Sequence, residues 1–183
     1  MEIHRKHLVH FNEAGHAHAL TFSCYRRLPL LGHEQTRRWF LESLRAACER
    51  HAFDLSAFVL MPEHVHLLVV PQAEVYDIAK FLQTLKRPVA YRANAWLRVH
   101  DPEVCSRLTE TGTEEGRFHF WQRGGGFDRN IYKEAYFLLT IEYLHNNPVR
   151  RGLVQEPSEW KWSSYAWHQR GCNGSVFDGF DEG

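Results

Sequence analysis

An α+β fold built on one antiparallel sheet is predicted by three observations on the 183-residue chain. Short apolar runs with a period of two alternate with long stretches whose apolar residues recur at helical spacing. Two strand-like runs, residues 53–60 and 64–70, are joined only by Met61-Pro62-Glu63, a link too short for anything but an antiparallel pair. The resulting order is strand, helix, strand, strand, helix, strand, with one more helix appended. That is a ferredoxin-like split βαβ arrangement with a C-terminal addition.

Residues 17–24 place His18, Leu20, Phe22 and Cys24 on one face, as a half-buried strand does. Leu28-Pro29-Leu30-Leu31-Gly32 ends it. From Glu34 to His51, Phe40, Leu41, Leu44, Ala47 and Cys48 follow helical spacing, with Arg37, Arg38, Arg45 and Arg50 elsewhere around the helix. The strand over 64–70 is apolar on both faces beyond His66, as a central strand is. A second helix is expected over residues 74–100, interrupted or kinked at Pro88. Residues 101–116, with Pro102, Gly112 and many charges, read as an acidic, irregular loop insertion. The aromatic run 118–122 reads as the fourth strand. After Gly124-Gly125-Gly126 a last helix covers 132–147, until Pro148 stops it. One domain therefore spans residues 1–170, and the Gly- and Asp-rich stretch 171–183 is expected to be a flexible tail.

No apolar run approaches the roughly 20 residues of a membrane-spanning helix. The polar start, Met1-Glu2-Ile3-His4-Arg5-Lys6-His7, lacks the apolar stretch of a secretory signal, so a cytoplasmic location with no membrane partner is expected. Cys24, Cys48, Cys105 and Cys172 are scattered without a C-x-x-C pair, which argues against a zinc ribbon or a dithiol redox motif. The formal net charge is zero, but it is unevenly spread. Residues 1–100 carry +4 (13 basic, 9 acidic) and 117–170 carry +3 (8 and 5), against −4 for 101–116 (1 and 5) and −3 for 171–183 (0 and 3). The two structured blocks are thus basic, which is compatible with binding phosphates.

The strongest chemical signal is His64-Val65-His66. Residues i and i+2 of a strand point to the same side, so the two imidazoles can grip one divalent ion. An isolated H-x-H pair in a chain with 13 histidines also fits partly buried, hydrogen-bonded histidines beside a turn. Its place, after a Pro-containing turn and at the mouth of the most apolar strand, favours a ligand pair. A histidine-triad hydrolase would have a third histidine at position 68, where this chain has Leu68. In the last helix Tyr143 and Asn147 are four residues apart and share a face. Tyr143 is a candidate nucleophile, with Tyr132 and Tyr136 as rivals. Asn147 offers a neutral oxygen suited to Mg²⁺ or Mn²⁺. Arg26, Lys86, Arg87, Arg123, Arg150 and Arg151 are candidate DNA phosphate contacts, although each basic pair taken alone also fits a solvated face. Trp96, Phe120, Trp121, Trp160 and Trp162 fit either core packing or stacking on unpaired bases.

The segments L-M-P-E-H-V-H-L-L-V, F-W-Q-R, I-E-Y-L-H-N-N-P-V-R-R-G-L-V and W-K-W-S-S-Y occur in that order. Together they resemble the REP-associated tyrosine transposases, within the single-tyrosine HUH transposases of the insertion-sequence-200-like kind, over about residues 15–168. The resemblance implies a ferredoxin-like HUH domain with a C-terminal catalytic helix. It implies that His64 and His66 are the metal pair, that Asn147 is the third ligand to Mg²⁺ or Mn²⁺, and that Tyr143 is the catalytic residue. The implied substrate is single-stranded, hairpin-forming palindromic-repeat DNA, cut and rejoined through a 5′-phosphotyrosine. A homodimer, with the tyrosine helix serving the partner's site, is also compatible with the resemblance. The runner-up is a non-catalytic hairpin DNA- or RNA-binding module of the same fold. It leaves His64, His66 and Tyr143 without a role.

Overall fold

The computed structural model describes residues 12–110, 116–124, 126–178 and 180. The start of the polar lead-in, residues 111–115 of the acidic segment, Gly125 and the end of the tail lie outside the described residues. In chain order come β1 (Ala17–Ser23), α1 (Glu34–His51), β2 (Phe53–Leu60), β3 (His64–Pro71), α2 (Ile78–His100), α3 (Pro102–Arg107), β4 (Thr109–Glu110), β5 (Arg117–Phe118), β6 (Phe127–Ile131), α4 (Glu134–His145), α5 (Asn147–Arg150) and α6 (Tyr165–Gln169). The main sheet has the order β2-β3-β1-β6, and every neighbouring pair in it is antiparallel. With α1 and α2 as the crossovers, this is the split βαβ arrangement that the sequence predicts.

The sheet separates two apolar layers. Val65, Leu67 and Val69 of β3 face α1 and α2, joining Phe40, Leu44, Phe81 and Leu85 in the larger core. Fully burying such side chains contributes roughly 1.5–3 kcal/mol each. The buried residues of α2, from Ile78 through Phe81, Leu82, Leu85 and Val89 to Leu97, form one stripe at helical spacing. Asp77 caps the helix by accepting from the Lys80 amide at 3.0 Å, which sets its start at Ile78, and Pro88 lies inside it without ending it. Leu68, on the same side of β3 as His64 and His66, faces the other way, where α4 lies across the sheet. Leu144 of that helix packs with Val59, Leu68 and Ile131 in the smaller core. The histidine pair therefore opens onto the face that the tyrosine helix covers.

Three sequence expectations are corrected. The fourth strand is not 118–122 but Phe127–Ile131, a polar edge strand. The aromatic run instead sends Phe120 into the larger core and makes only an isolated bridge, Trp121 to Cys24, while Phe118 joins the small β4–β5 ribbon. Gly126 lets β6 approach: its φ is +80°, and a Cβ there would collide with the Thr21 carbonyl oxygen. The acidic segment begins with a helix, α3. Asp101 accepts from the Val104 amide at 3.0 Å and Pro102 opens the first turn, a start signal that the density of charge obscures. In the stretch expected to be a flexible tail, Val176 and Phe177 are buried against the core and the Trp167 indole donates to the Gly174 carbonyl at 3.1 Å.

Candidate active site

Strand alternation puts His64 and His66 on one side of β3, and the surrounding hydrogen bonds aim them. Their Nε2 atoms lie 2.9 Å apart. Two ligand atoms about 2.1 Å from one cation and at right angles to it would be about 3.0 Å apart, so the pair fits a shared divalent ion. On the far side of each ring, Nδ1 has its own partner. His64 Nδ1 donates to the Glu63 carboxylate at 3.0 Å. A carboxylate only accepts, so the proton sits on Nδ1 and the lone pair on Nε2. His66 Nδ1 lies 2.8 Å from Thr21 Oγ1. A hydroxyl both donates and accepts, so it serves either tautomer of His66. With Nδ1–H donated to Thr21, both Nε2 lone pairs are free for a shared cation. With the other tautomer, Nε2–H is donated to His64.

Burial keeps both rings neutral, the form that binds metal. It lowers the His64 pKa, against the opposing pull of Glu63, and brings His66 down to about 3, with His64 adding to the effect. The Glu63 carboxylate is itself held by Arg151 at 3.0 Å. By strand alternation alone, Glu63 would face away from His64 and have no part in the site. Glu63 precedes the strand, however, and its position in the turn sends its carboxylate back to His64.

The nucleophile candidate comes from α4. The Tyr143 ring stands edge-on to His66, with centroids 6.4 Å apart, and the Arg150 guanidinium lies 4.8 Å from the centre of that ring. Asn147 begins α5, yet its position relative to Tyr143 is still helical. Its Nδ2 donates to the Tyr143 carbonyl at 2.9 Å and more weakly to that of Leu144 at 3.4 Å, so Oδ1 is the atom the amide offers a cation. Among the described residues no cluster of three or more His, Cys, Asp or Glu forms a metal site. Of the rivals, Tyr132 precedes α4 and stacks on His16, with centroids 5.3 Å apart, and Tyr136 lies two turns before Tyr143.

A strap holds α4 from behind. Residues 162–164 run along the outer edge of β2, with the Leu60 amide donating to the Trp162 carbonyl at 2.9 Å and the Ser164 amide to that of Phe58 at 3.0 Å. The Ser164 hydroxyl accepts from the Phe58 amide at 2.9 Å and bonds His145 Nε2 at 2.8 Å. His145 is buried on α4, two residues past Tyr143, and burial together with His168 lowers its pKa to about 4.

Residues 13–147, the whole main sheet, α4 and both histidines included, match the transposase family described as IS200-like. The chain belongs to that family. A Haemophilus influenzae protein described as a REP-associated tyrosine transposase is 23% identical over 128 residues, which are 69% of this chain and 66% of that relative. A solved structure of a REP-associated tyrosine transposase bound to a REP hairpin superposes with a TM-score of 0.65 at 17% identity, covering 96% of this chain and 90% of that one. At that identity the likeness establishes the fold. A second solved structure, described as a putative transposase from Deinococcus radiodurans, gives a TM-score of 0.43 at 19% identity over 80% of this chain and 97% of that one. The family match and the Haemophilus influenzae relative agree with the resemblance carried by the ordered motifs. No helix among the described residues is long and apolar enough to cross a membrane.

In this member of the IS200-like family the six basic residues singled out from sequence fall in different places. Arg150 and Arg151 flank the site, against Tyr143 and Glu63. Arg26 and Arg123 meet at an aromatic cluster. Arg26 lies 5.0 Å from the Tyr25 ring centre, Tyr25 stacks on His119 at 5.2 Å, and Arg123 Nη2 bonds His119 Nε2 at 3.1 Å. Arg87 is exposed on α2. Lys86 turns inward, its ammonium 4.0 Å from the Phe22 ring centre, and burial lowers its pKa to about 8. Of the aromatics, Phe120 and Trp162 are buried, and Trp96, Trp121 and Trp160 pack against the larger core.

Proposed function

We propose that this transposase cuts and rejoins single-stranded DNA beside hairpin-forming repeats, using Tyr143 as the nucleophile. The observation that carries the reading is the meeting, within one chain, of the Tyr143 ring and the convergent His64–His66 pair. The Tyr143 hydroxyl attacks the scissile phosphorus and loses its proton. The P–O3′ bond breaks, leaving a 5′-phosphotyrosine and a free 3′-hydroxyl, and a second 3′-hydroxyl reverses the step to join strands. Arg150 sets a positive charge over the Tyr143 ring, 4.8 Å from its centre, where it would favour the loss of the phenol proton during attack. His64, His66 and Asn147 would hold Mg²⁺ or Mn²⁺, which supplies charge neutralisation at the phosphate oxygens. Glu63 and Thr21 orient the two imidazoles. Because the tyrosine and the histidines of one chain meet, the reading needs no second copy.

Support also comes from the family and from the REP hairpin to which the superposing relative is bound. The test is strand cleavage. Purified protein is mixed with labelled hairpin DNA bearing unpaired flanks from repeats beside its own gene, in Mn²⁺, Mg²⁺ or EDTA. Metal-dependent nicking with a covalent protein–DNA band, absent in Tyr143→Phe, is expected. Tight binding with no cleavage in either metal would instead make the chain a hairpin-binding module. Cleavage that survives Tyr143→Phe would move the nucleophile to Tyr136 or Tyr132.

A further inference from the structure

We propose that the cleft between α4 and the β1–β6 side of the sheet is a subsite for one unpaired DNA nucleotide next to the scissile phosphate. Phe127 and Tyr136 are its stacking surfaces and Arg129 its phosphate contact. The proposal rests on Tyr143 being the nucleophile.

The cleft has a volume of about 430 Å³, and both His66 and Tyr143 line it. Its floor follows from register. His66 of β3 pairs with Thr21 of β1, and Thr21 pairs with Phe127 of β6. Directly opposed residues share a face of the sheet, so Phe127 extends the row that begins at the histidine. With strands roughly 4.8 Å apart, its backbone stands about 10 Å from that of His66. Arg129, two residues on, keeps the same face and also lines the cleft. The opposite wall is one stripe of α4, with Tyr136, Leu139 and Tyr143 at helical spacing. From Tyr136 to Tyr143 that stripe runs about 10.5 Å. The cleft thus starts at the proposed chemistry and leads away from it.

Its lining matches an unpaired nucleotide in composition as well as place. Phe127 is 56% exposed and Tyr136 48%, so these rings are presented outward rather than used in the core. The Arg129 guanidinium lies 5.8 Å from the Tyr136 ring centre, and the Lys133 ammonium 5.9 Å from the same centre. No acidic residue lines the cleft among the described residues. Aromatic faces beside cations are what single strands require, since every base has a face to stack and every link a charge to neutralise. The volume is that of a pocket for one small ligand, which suits a single unpaired nucleotide rather than a paired stem.

The test is an abasic scan. A fluorescent DNA hairpin with unpaired flanks is bound in EDTA with an abasic unit at each flank position in turn. The proteins are wild type, Phe127→Ala, Tyr136→Ala and Arg129→Gln, all changes at exposed positions, with thermal unfolding to check the fold. One abasic position should weaken wild type on the order of tenfold, and the same position should cost less than about twofold in Phe127→Ala or Tyr136→Ala. Arg129→Gln should reduce the slope of log affinity against log salt by about 0.7. Equal abasic losses in wild type and both aromatic variants, with Tyr143-dependent cleavage intact, overturn the subsite alone. So does a change in association state of the variants with DNA binding unaltered, which would assign this face to a second copy. No cleavage by wild type overturns the reading of Tyr143 and the subsite with it.

Discussion

Replacing Thr21 by valine isolates the part of the site that least resembles catalysis. The substitution keeps the β-branched shape that suits β1 and removes only the hydroxyl, 2.8 Å from His66 Nδ1. Thr21 is half-buried and His66 buried, so the fold loses one hydrogen bond, a cost of about 1 kcal/mol. Metal binding should suffer more. The tautomer that turns the His66 Nε2 lone pair to a cation needs an acceptor for Nδ1–H, and valine offers none. Removing such an outer partner typically costs 10–100-fold in metal affinity, about 1.4–2.8 kcal/mol. Mn²⁺ titration followed by calorimetry or by electron paramagnetic resonance reads the affinity directly, without requiring cleavage. Thr21→Ser should recover most of the loss because it restores the hydroxyl. Wild-type Mn²⁺ affinity in Thr21→Val, within about twofold, would refute the claim that Thr21 sets the tautomer.

Three further outcomes are expected. Asn147→Ala should weaken Mn²⁺ binding while Asn147→Asp preserves or strengthens it; indifference to both, in the same titration, removes Asn147 from the ligand set. Ser164→Ala strips a buried partner from the Phe58 amide and from His145 Nε2 and should cost about 2–4 kcal/mol in urea unfolding, whereas a loss under about 0.5 would mean the strap is not held there. Acid should destabilise the metal-free protein below pH 6.5. Burial holds the folded pKa of His145 at about 4, beneath its unfolded value, so the unfolded chain takes up the proton first. The contribution is full above about 6.5 and is lost as pH falls towards about 4, at about 1 kcal/mol per pH unit from this residue. Urea midpoints at pH 7.5, 6.5 and 5.5 should fall accordingly and fall less in His145→Gln. A drop that His145→Gln leaves unchanged would place the acid sensitivity elsewhere.

The elements most legible in the sequence are those whose burial leaves a period. Helix α1 and strand β2 match their expected bounds because Phe40, Leu44, Cys48 and Phe53, Leu55 and Phe58 are where apolar spacing puts them. Strand β6 was not legible. Its sequence, Phe127-Asp128-Arg129-Asn130-Ile131, buries one apolar side chain, Ile131, and its pairing with β1 joins residues about a hundred apart in the chain. Local propensity favoured the aromatic run before it, whose rings serve the core without adding a strand to the main sheet. The site divides in the same way. His64, His66 and Tyr143 follow from spacing along single elements. Thr21 and Glu63 reach the histidines through a cross-strand pairing and a turn, neither of which a period reveals. Lys86 shows the converse, since a basic residue next to another reads as surface charge until packing turns it against Phe22.

The W-K-W-S-S-Y segment lies beyond the residues the family match covers, yet its placement bears on the chemistry. Helix α4 buries only Leu144 and His145 fully, and leaves Leu138, Leu139, Tyr136 and Tyr143 about half exposed. A helix so lightly covered by its own packing has little to fix its rotation, and a rotation of one residue position, about 100°, would carry Tyr143 away from His66. His145 supplies the missing constraint. It sits two residues from Tyr143, points to the opposite side, and is bonded to a hydroxyl that is itself locked to the backbone of β2. Trp160 adds a second tie, its indole donating to the Leu60 carbonyl at 3.1 Å while its ring packs against the smaller core beneath α4. The same strand pair thus supports both halves of the site. β3 carries the histidines, and β2, through the strap, holds the helix that brings the tyrosine to them.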